Sequence, residues 1–138
     1  MVETSGPHGA DKTILIVDDS ASVRKLIELT LRREGYLLVT ASSGVAALAA
    51  LAENEPDLIL LDLMLVQIDG FQLCSIIRNH PRLRHVPIVI LTGRESAEDR
   101  EAGLRAGVNA YVTKPFHPQD LASIVREQLV APVSAGAS

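Results

Sequence analysis

The sequence predicts an α/β domain, a parallel five-stranded sheet with helices packed on both faces. Five short apolar runs, at 13–18, 36–41, 57–62, 86–92 and 109–113, alternate with five helical patterns, at 20–34, 43–54, 70–79, 95–106 and 117–130. The runs are continuously apolar, as expected of strands buried on both sides. Each strand leads to the next through a helix, the crossover that parallel strands require.

Taken in order, the elements differ in quality. The first strand, ILIV, ends at Asp18 and Asp19. Ser20 is a plausible N-cap for the helix that follows. That helix carries Val23, Leu26, Ile27, Thr30 and Leu31 as an amphipathic stripe and stops at Gly35, a natural C′ residue. The second strand and helix, 36–41 and 43–54, repeat the rhythm. The third strand, LILL, ends at Asp62 and precedes the helix at 70–79. The fourth, VPIVIL, ends at Thr92. Its helix, ESAEDREAGLRAG, offers only Ala97, Ala102, Leu104 and Ala106 to a core. Gly103 inside it costs roughly 1 kcal/mol relative to Ala, so this helix should be the most weakly anchored. The fifth strand, AYVT, ends at Lys114, and the last helix has a clear stripe of Leu121, Ile124, Val125 and Leu129. Residues 1–12 read as a flexible N-terminal tail and 131–138, APVSAGAS, as a flexible C-terminal one, leaving 13–130 as the domain.

Composition sets the class. With 138 residues, 47% hydrophobic and 22% charged, the chain suits one domain with a sizeable core. A net charge of −4 argues against direct nucleic-acid binding by bulk electrostatics. The single cysteine, Cys74, allows no internal disulfide. The N-terminus lacks the basic and apolar regions of a signal peptide, and no apolar run approaches a membrane span. The expectation is a cytoplasmic domain without membrane insertion.

The chemistry lies at the strand ends. If the strands are parallel, Asp18, Asp19, Asp62, Thr92 and Lys114 meet at the sheet edge where open α/β folds bind ligands. Each has a plain reading in isolation: capping or dipole-favoured aspartates, a β-branched strand residue, a solvated loop lysine. Their joint spacing favours a shared site. Three converging carboxylates repel one another, and a hard divalent cation relieves the repulsion, Mg2+ better than Ca2+ when waters and a phosphate complete the shell. His8, His80, His85 and His117 are scattered, and no Cys/His set has zinc spacing. A carboxylate beside such a cation and an ammonium can attack phosphorus and form an acyl phosphate, with Thr92 donating a hydrogen bond to the same oxygens.

Five motifs carry a family resemblance: ILIVDDS at 14–20, DLILLDLML at 57–65, Asp69-Gly70, VPIVILTG at 86–93 and AYVTKPF at 110–116. With them, residues 13–130 resemble the receiver domain of two-component response regulators, the family that includes the single-domain chemotaxis regulator. The resemblance implies a flavodoxin-like, doubly wound (βα)5 three-layer sandwich with strand order 2-1-3-4-5. It implies that Asp62 is the phosphoacceptor. Asp18, Asp19 and Asp62, with the backbone carbonyl of Met64, would hold Mg2+, or Mn2+ in its place. Lys114 would pair with the phosphoryl group, and its bond to Pro115 would be cis. Thr92 and Tyr111 would be the switch residues. The implied partners are a sensor histidine kinase or histidine phosphotransfer protein, and an unidentified output protein at the face formed by 95–106, 109–113 and 117–130. A monomer or a phosphorylation-dependent dimer would suit that face.

Three departures stand out. Val66-Gln67 occupies a place where the family often has Pro-Gly, and Gly93 stands where a small residue, usually Ala, follows the threonine. The positions that tune acyl-phosphate lifetime, two after the phosphoacceptor and two after the threonine, hold Met64 and Arg94. Neither is a carboxylate or amide that would orient an attacking water, so a long-lived phosphorylated form is expected. The short C-terminus suggests a stand-alone regulator or a fragment of a longer chain. A second class, a Mg2+-dependent phosphohydrolase with an aspartyl nucleophile, usually places that nucleophile on the first strand with another aspartate two positions on. Adjacent Asp18-Asp19 argues against it. A third class, an interaction module that no longer uses phosphate, is opposed by the complete set of site residues.

Overall fold

The computed structural model describes residues 12–65, 67–93 and 97–137, with residues 97 and 131–137 by backbone alone. Its elements alternate strictly: β1 (Thr13–Val17), α1 (Ala21–Arg33), β2 (Leu37–Ala41), α2 (Gly44–Glu53), β3 (Leu58–Asp62), α3 (Gly70–Arg78), β4 (Ile88–Thr92), α4 (Ala97–Ala106), β5 (Ala110–Thr113) and α5 (Pro118–Ala137). The strands form one sheet in the order β2-β1-β3-β4-β5, and every neighbouring pair is parallel. The doubly wound arrangement read from the sequence is the one observed.

Two apolar layers flank the sheet. On one face Leu15, Ile59, Leu61 and Ile90 pack with Ala47 and Leu51 of α2 and Leu73, Cys74 and Ile77 of α3. On the other, Ile14, Ile16, Leu60 and Val89 pack with Ile27 and Leu31 of α1 and Leu121 and Val125 of α5. All five residues of β3 and of β4 are buried, which accounts for their unbroken apolar runs. The edge strands β2 and β5 are only partly buried.

Local chemistry sets the helix ends. The Ser20 side chain accepts from Val23 N–H at 3.2 Å. Gly35 closes α1 with φ 93°, a left-handed conformation suited to glycine. At α3, Asp69 and Gln72 form a reciprocal capping box.

Two sequence expectations change. Leu26 is 42% exposed: α1 lies along the sheet on Ile27 and Leu31, and Leu26 falls at the rim beside Pro118 and Ala122. Leu104 is 76% exposed; the residue of α4 turned inward there is Gly103, and the next position lies about 100° further round the helix. The backbone of α5 runs to Ala137, past residue 130, where 131–138 read as a tail. Helical backbone does not require an apolar stripe, because a nucleated helix adds further residues at little cost. Residues 1–11 of the N-terminal tail and Ser138 lie outside the described residues. Among the described residues no helix is long and apolar enough to cross a membrane.

Candidate functional site

The site forms where two neighbouring strands send their helices to opposite faces. β1 leads into α1 on one face, while its neighbour β3 leads into α3 on the other. A crevice opens between them at the carboxyl end of the sheet. The register pairs Val17 with Leu61, so Asp18 and Asp62 follow side by side. The register also pairs Asp62 with Leu91 and Thr92 with Thr113. That brings Thr92 and Lys114 to the same edge, where Lys114 N–H donates to the Thr92 carbonyl at 2.7 Å.

Asp18, Asp62 and Thr92, at 0%, 5% and 2% exposure, are the buried polar residues of the described chain. Burying polar groups is costly without partners, so three of them at one edge mark a built site. One carboxylate oxygen from each of Asp18, Asp19 and Asp62 lies within 4.8 Å of the others, with Asp19 exposed at the rim. Lys114 Nζ donates to Asp18 Oδ2 at 2.9 Å and lies 3.6 Å from Asp62 Oδ1. Met64 N–H donates to Asp62 Oδ1 at 3.2 Å, while the Met64 side chain is exposed.

The electrostatics follow from this crowding. Burial, then the Asp18 charge and more weakly Asp19, push the Asp62 carboxyl above its ordinary range, against the pull of Lys114 and Met64 N–H. For Lys114, burial works to lower the pKa. The hydrogen bond and charge of Asp18, with the charge of Asp62, outweigh it and hold the ammonium above its ordinary value. The pocket thus has an acidic side in need of cation and a fixed ammonium beside it. Three hard oxygen donors at this spacing, one facing solvent, fit a divalent cation that keeps open positions.

Support from outside the cluster fixes its backbone. Ser20 N–H donates to Asp18 Oδ1 at 2.9 Å, and Arg24 Nη1 donates to the Asp18 carbonyl at 2.6 Å. Gly70 lets α3 start directly over the end of β3: a Cβ there would lie 2.9 Å from both the Asp62 carbonyl oxygen and Leu63 Cα. Sequence reading missed Arg24. Its spacing, six residues after Asp18, was the available signal, but an arginine one turn into a helix is ordinarily a solvated one.

The structure brings Asp18, Asp19, Asp62 and Lys114 together, with Thr92 buried beside them. The Lys114–Pro115 bond is cis. Tyr111 stands apart from the pocket. It is half-buried on β5, two residues before the level of Thr92, and its hydroxyl donates to the Asp99 carbonyl of α4 at 3.0 Å. Arg94, the second residue expected to tune lifetime, lies outside the described residues. Among the described residues, nothing lies within 4 Å of where a Gly93 Cβ would stand. Where the family often has Pro-Gly, Gln67 takes φ 77°; Val66 lies outside the described residues. His80, His85 and His117 are exposed, as read from the sequence, and His8 lies outside the described residues.

Comparison with known proteins points the same way. Residues 14–126 match the family model described as the response regulator receiver domain. The chain is 41% identical over 118 residues to the transcriptional regulatory protein GltR of Pseudomonas aeruginosa, covering 86% of this chain and 49% of that one. It spans about half the length of the transcriptional regulators it matches. The chemotaxis protein CheY4 of Vibrio cholerae superposes with a TM-score of 0.83 at 31% identity, covering 86% of this chain and 99% of that one. The receiver domain of a sensor histidine kinase from P. aeruginosa, with a magnesium ion coordinated in its active-site cleft, superposes with a TM-score of 0.79 at 34% identity, covering 87% and 98%.

Proposed function

The chain belongs to the response regulator receiver family, and from that premise we propose that Asp62 accepts a phosphoryl group from a phosphohistidine of a sensor kinase or phosphotransfer protein. The observation that carries this reading is the cluster itself: Asp62 beside Asp18, Asp19 and the Lys114 ammonium in one buried crevice. An Asp62 carboxylate oxygen attacks phosphorus, the P–N bond to the donor imidazole breaks, and that nitrogen keeps the electron pair. The product is an acyl phosphate on Asp62.

Asp18, Asp19 and Asp62, with the Met64 carbonyl, would hold the metal ion. Bound there, Mg2+ (or Mn2+) neutralises charge on the transferred oxygens. Lys114, within reach of both Asp18 and Asp62, would share that task. The Met64 N–H fixes the rotamer of the attacking carboxylate. Thr92, buried at the end of β4, donates its hydroxyl to the new phosphoryl oxygens. Its displacement is read by Tyr111, and the face made by α4, β5 and α5 changes shape for an output partner or a second copy of the chain. The added charge is a local event biasing a two-state element.

Intact mass after incubation with acetyl phosphate tests the input chemistry. Wild type gains one phosphoryl adduct only with Mg2+ or Mn2+ present, and Asp62→Ala gains none. An adduct on Asp62→Ala, or one formed equally without metal, would overturn the assignment. Turnover of small phosphate esters would instead favour a phosphohydrolase. Lifetime is a separate matter: Met64→Asn and Arg94→Glu each supply a group that can orient water. Adduct loss should be faster in at least one of them than in wild type, and equal decay in all three removes the idea of a protected acyl phosphate.

A further inference from the structure

We infer that Gly103 is a positioning residue: its missing side chain forms the seat in which Tyr111 rests beneath α4. The significance for signalling rests on the reading of Thr92 and Tyr111 as a switch pair. The seat itself does not.

The geometry is specific. Gly103 is the buried residue among those described in α4. A Cβ there would overlap the Tyr111 hydroxyl oxygen, lie 2.8 Å from its Cζ, and come within 3.4 Å of Phe71 Cε1. The ring therefore passes directly under the helix backbone, and its hydroxyl reaches the Asp99 carbonyl one turn earlier. Glycine is unfavourable inside a helix, and the φ of Gly103 is not left-handed. Backbone conformation therefore does not demand glycine at this position. Space does.

Which partner would yield to a side chain at 103 can be argued from the far end of α4. There Arg78 donates to the Gly107 carbonyl from Nε at 3.0 Å and from Nη2 at 2.9 Å. The same guanidinium is held by the Arg84 and Val86 carbonyls and by Asn109 Oδ1, at 2.9, 2.7 and 2.7 Å. Cys74 Sγ–H donates to the Ala106 carbonyl at 3.0 Å. The turn that follows Gly103 is thus pinned to α3 and to the α3–β4 loop. Tyr111, in contrast, can leave by rotation about its own side-chain bonds. A methyl group at 103 displaces the ring, not the helix. Position 103 then sets where the switch rests, and any larger residue holds Tyr111 outward whatever the state of Asp62.

Ring-labelled tyrosine in NMR reads this directly. The chain has two tyrosines; Tyr36, buried under β2's start, serves as internal reference, and Tyr111→Phe assigns the signals. In Gly103→Ala without metal or phosphoryl mimic, the Tyr111 signal should move to the position of a solvent-exposed ring while Tyr36 stays put. Coincidence with wild type would overturn the proposal. With Mg2+ and beryllofluoride, wild type should shift at Tyr111, and Gly103→Ala should bind the mimic without a further shift. A wild type that binds no mimic defeats the phosphoacceptor reading, and the metal-free comparison still decides the seat. Should Gly103→Ala fold poorly, the double variant Gly103→Ala/Tyr111→Ala resolves it. It should melt above Tyr111→Ala alone, because the helix gains alanine and no ring is in the way. Gly103→Ala in the wild-type background should show no such rise, and an equal rise in both backgrounds would mean that no seat exists.

Discussion

In β3 and β4 every residue is buried, and the aspartate and threonine that end them are buried with the strand. In β5 only Val112 is, and α4 beside it exposes Leu104 almost fully. β5 pairs directly with β4 in the one sheet, yet one region is a frame and the other an edge. The frame holds charges that would otherwise repel one another and must not drift. The edge is held by an arginine on carbonyl oxygens at one end of α4 and by a tyrosine under a glycine further along. Few buried side chains are one mark of a locally weaker part of a structure, and this edge adjoins the charged pocket without belonging to its buried support.

The most severe way to break this contrast is to truncate one leucine in each region. Leu60, wholly buried in β3, should cost about 2–5 kcal/mol as Leu60→Ala. Leu104→Ala should fall within roughly 0.5 kcal/mol of wild type. Urea denaturation measures both, and comparable losses would mean that α4 contributes to the core after all. Next in size is Lys114→Met. Removing one partner of a buried ion pair costs roughly 3–5 kcal/mol; with Lys114 24% exposed, solvent screens the loss to the low end of that range or below. Asp18→Asn in the same chain should recover part of it, and an additive double variant would show that Lys114 does not offset the Asp18 charge.

The same contrast explains what the sequence made legible. Asp18, Asp62, Thr92 and Lys114 each follow an apolar run, and the parallel register brings the ends of those runs to one edge, so position at a run's end points to the pocket. The α4 region offered no comparable rule. Leu104 looked like a core residue because apolar side chains usually point inward. The true inward position is a glycine, whose only signal is an unexplained helix-breaking cost. Arg78 and Arg24 act on backbone carbonyls from elements distant in sequence or one turn away, and no local pattern marks an arginine for that work. What was legible came from periodicity, and what was not came from side chains filling space left by other elements.

Acidity probes the frame in the opposite direction. Because burial and the Asp18 charge raise the Asp62 pKa, the folded state holds that proton more tightly than the unfolded chain. At low pH both states are protonated and Asp62 carries no electrostatic cost. As pH rises through the unfolded carboxylate value near 4 and then through the raised folded one, the cost sets in and persists to neutrality. Asp62→Asn should therefore melt above wild type at pH 7 without metal, by less than Lys114→Met melts below it, and the advantage should vanish on acidification. Saturating Mg2+ should raise wild type more than Asp62→Asn, since binding to the folded state adds stability. A neutral-pH advantage that survives below pH 4 would mean that packing, not charge, is responsible.

The smallest effects belong to the two loops that rim the pocket, where the residues are exchanged relative to what each backbone asks for. Gln67, after β3, has a left-handed φ of 77°, which costs an L-residue roughly 1–2 kcal/mol. Gly93, after β4, has no positive φ, and a methyl group added to it would meet nothing within 4 Å among the described residues. Gln67→Gly should relieve the strain at the expense of a more flexible unfolded chain, a net gain under about 1 kcal/mol. Gly93→Ala should gain about 0.4–1 kcal/mol by restricting the unfolded chain alone. The two gains should add, because one acts on the folded state and the other on the unfolded, and neither should alter the stoichiometry of the Asp62 adduct. A loss of stability in Gln67→Gly would place the strain elsewhere: the Gln67 side chain would then be holding the loop against Asp62 and would join the frame that the strand ends define.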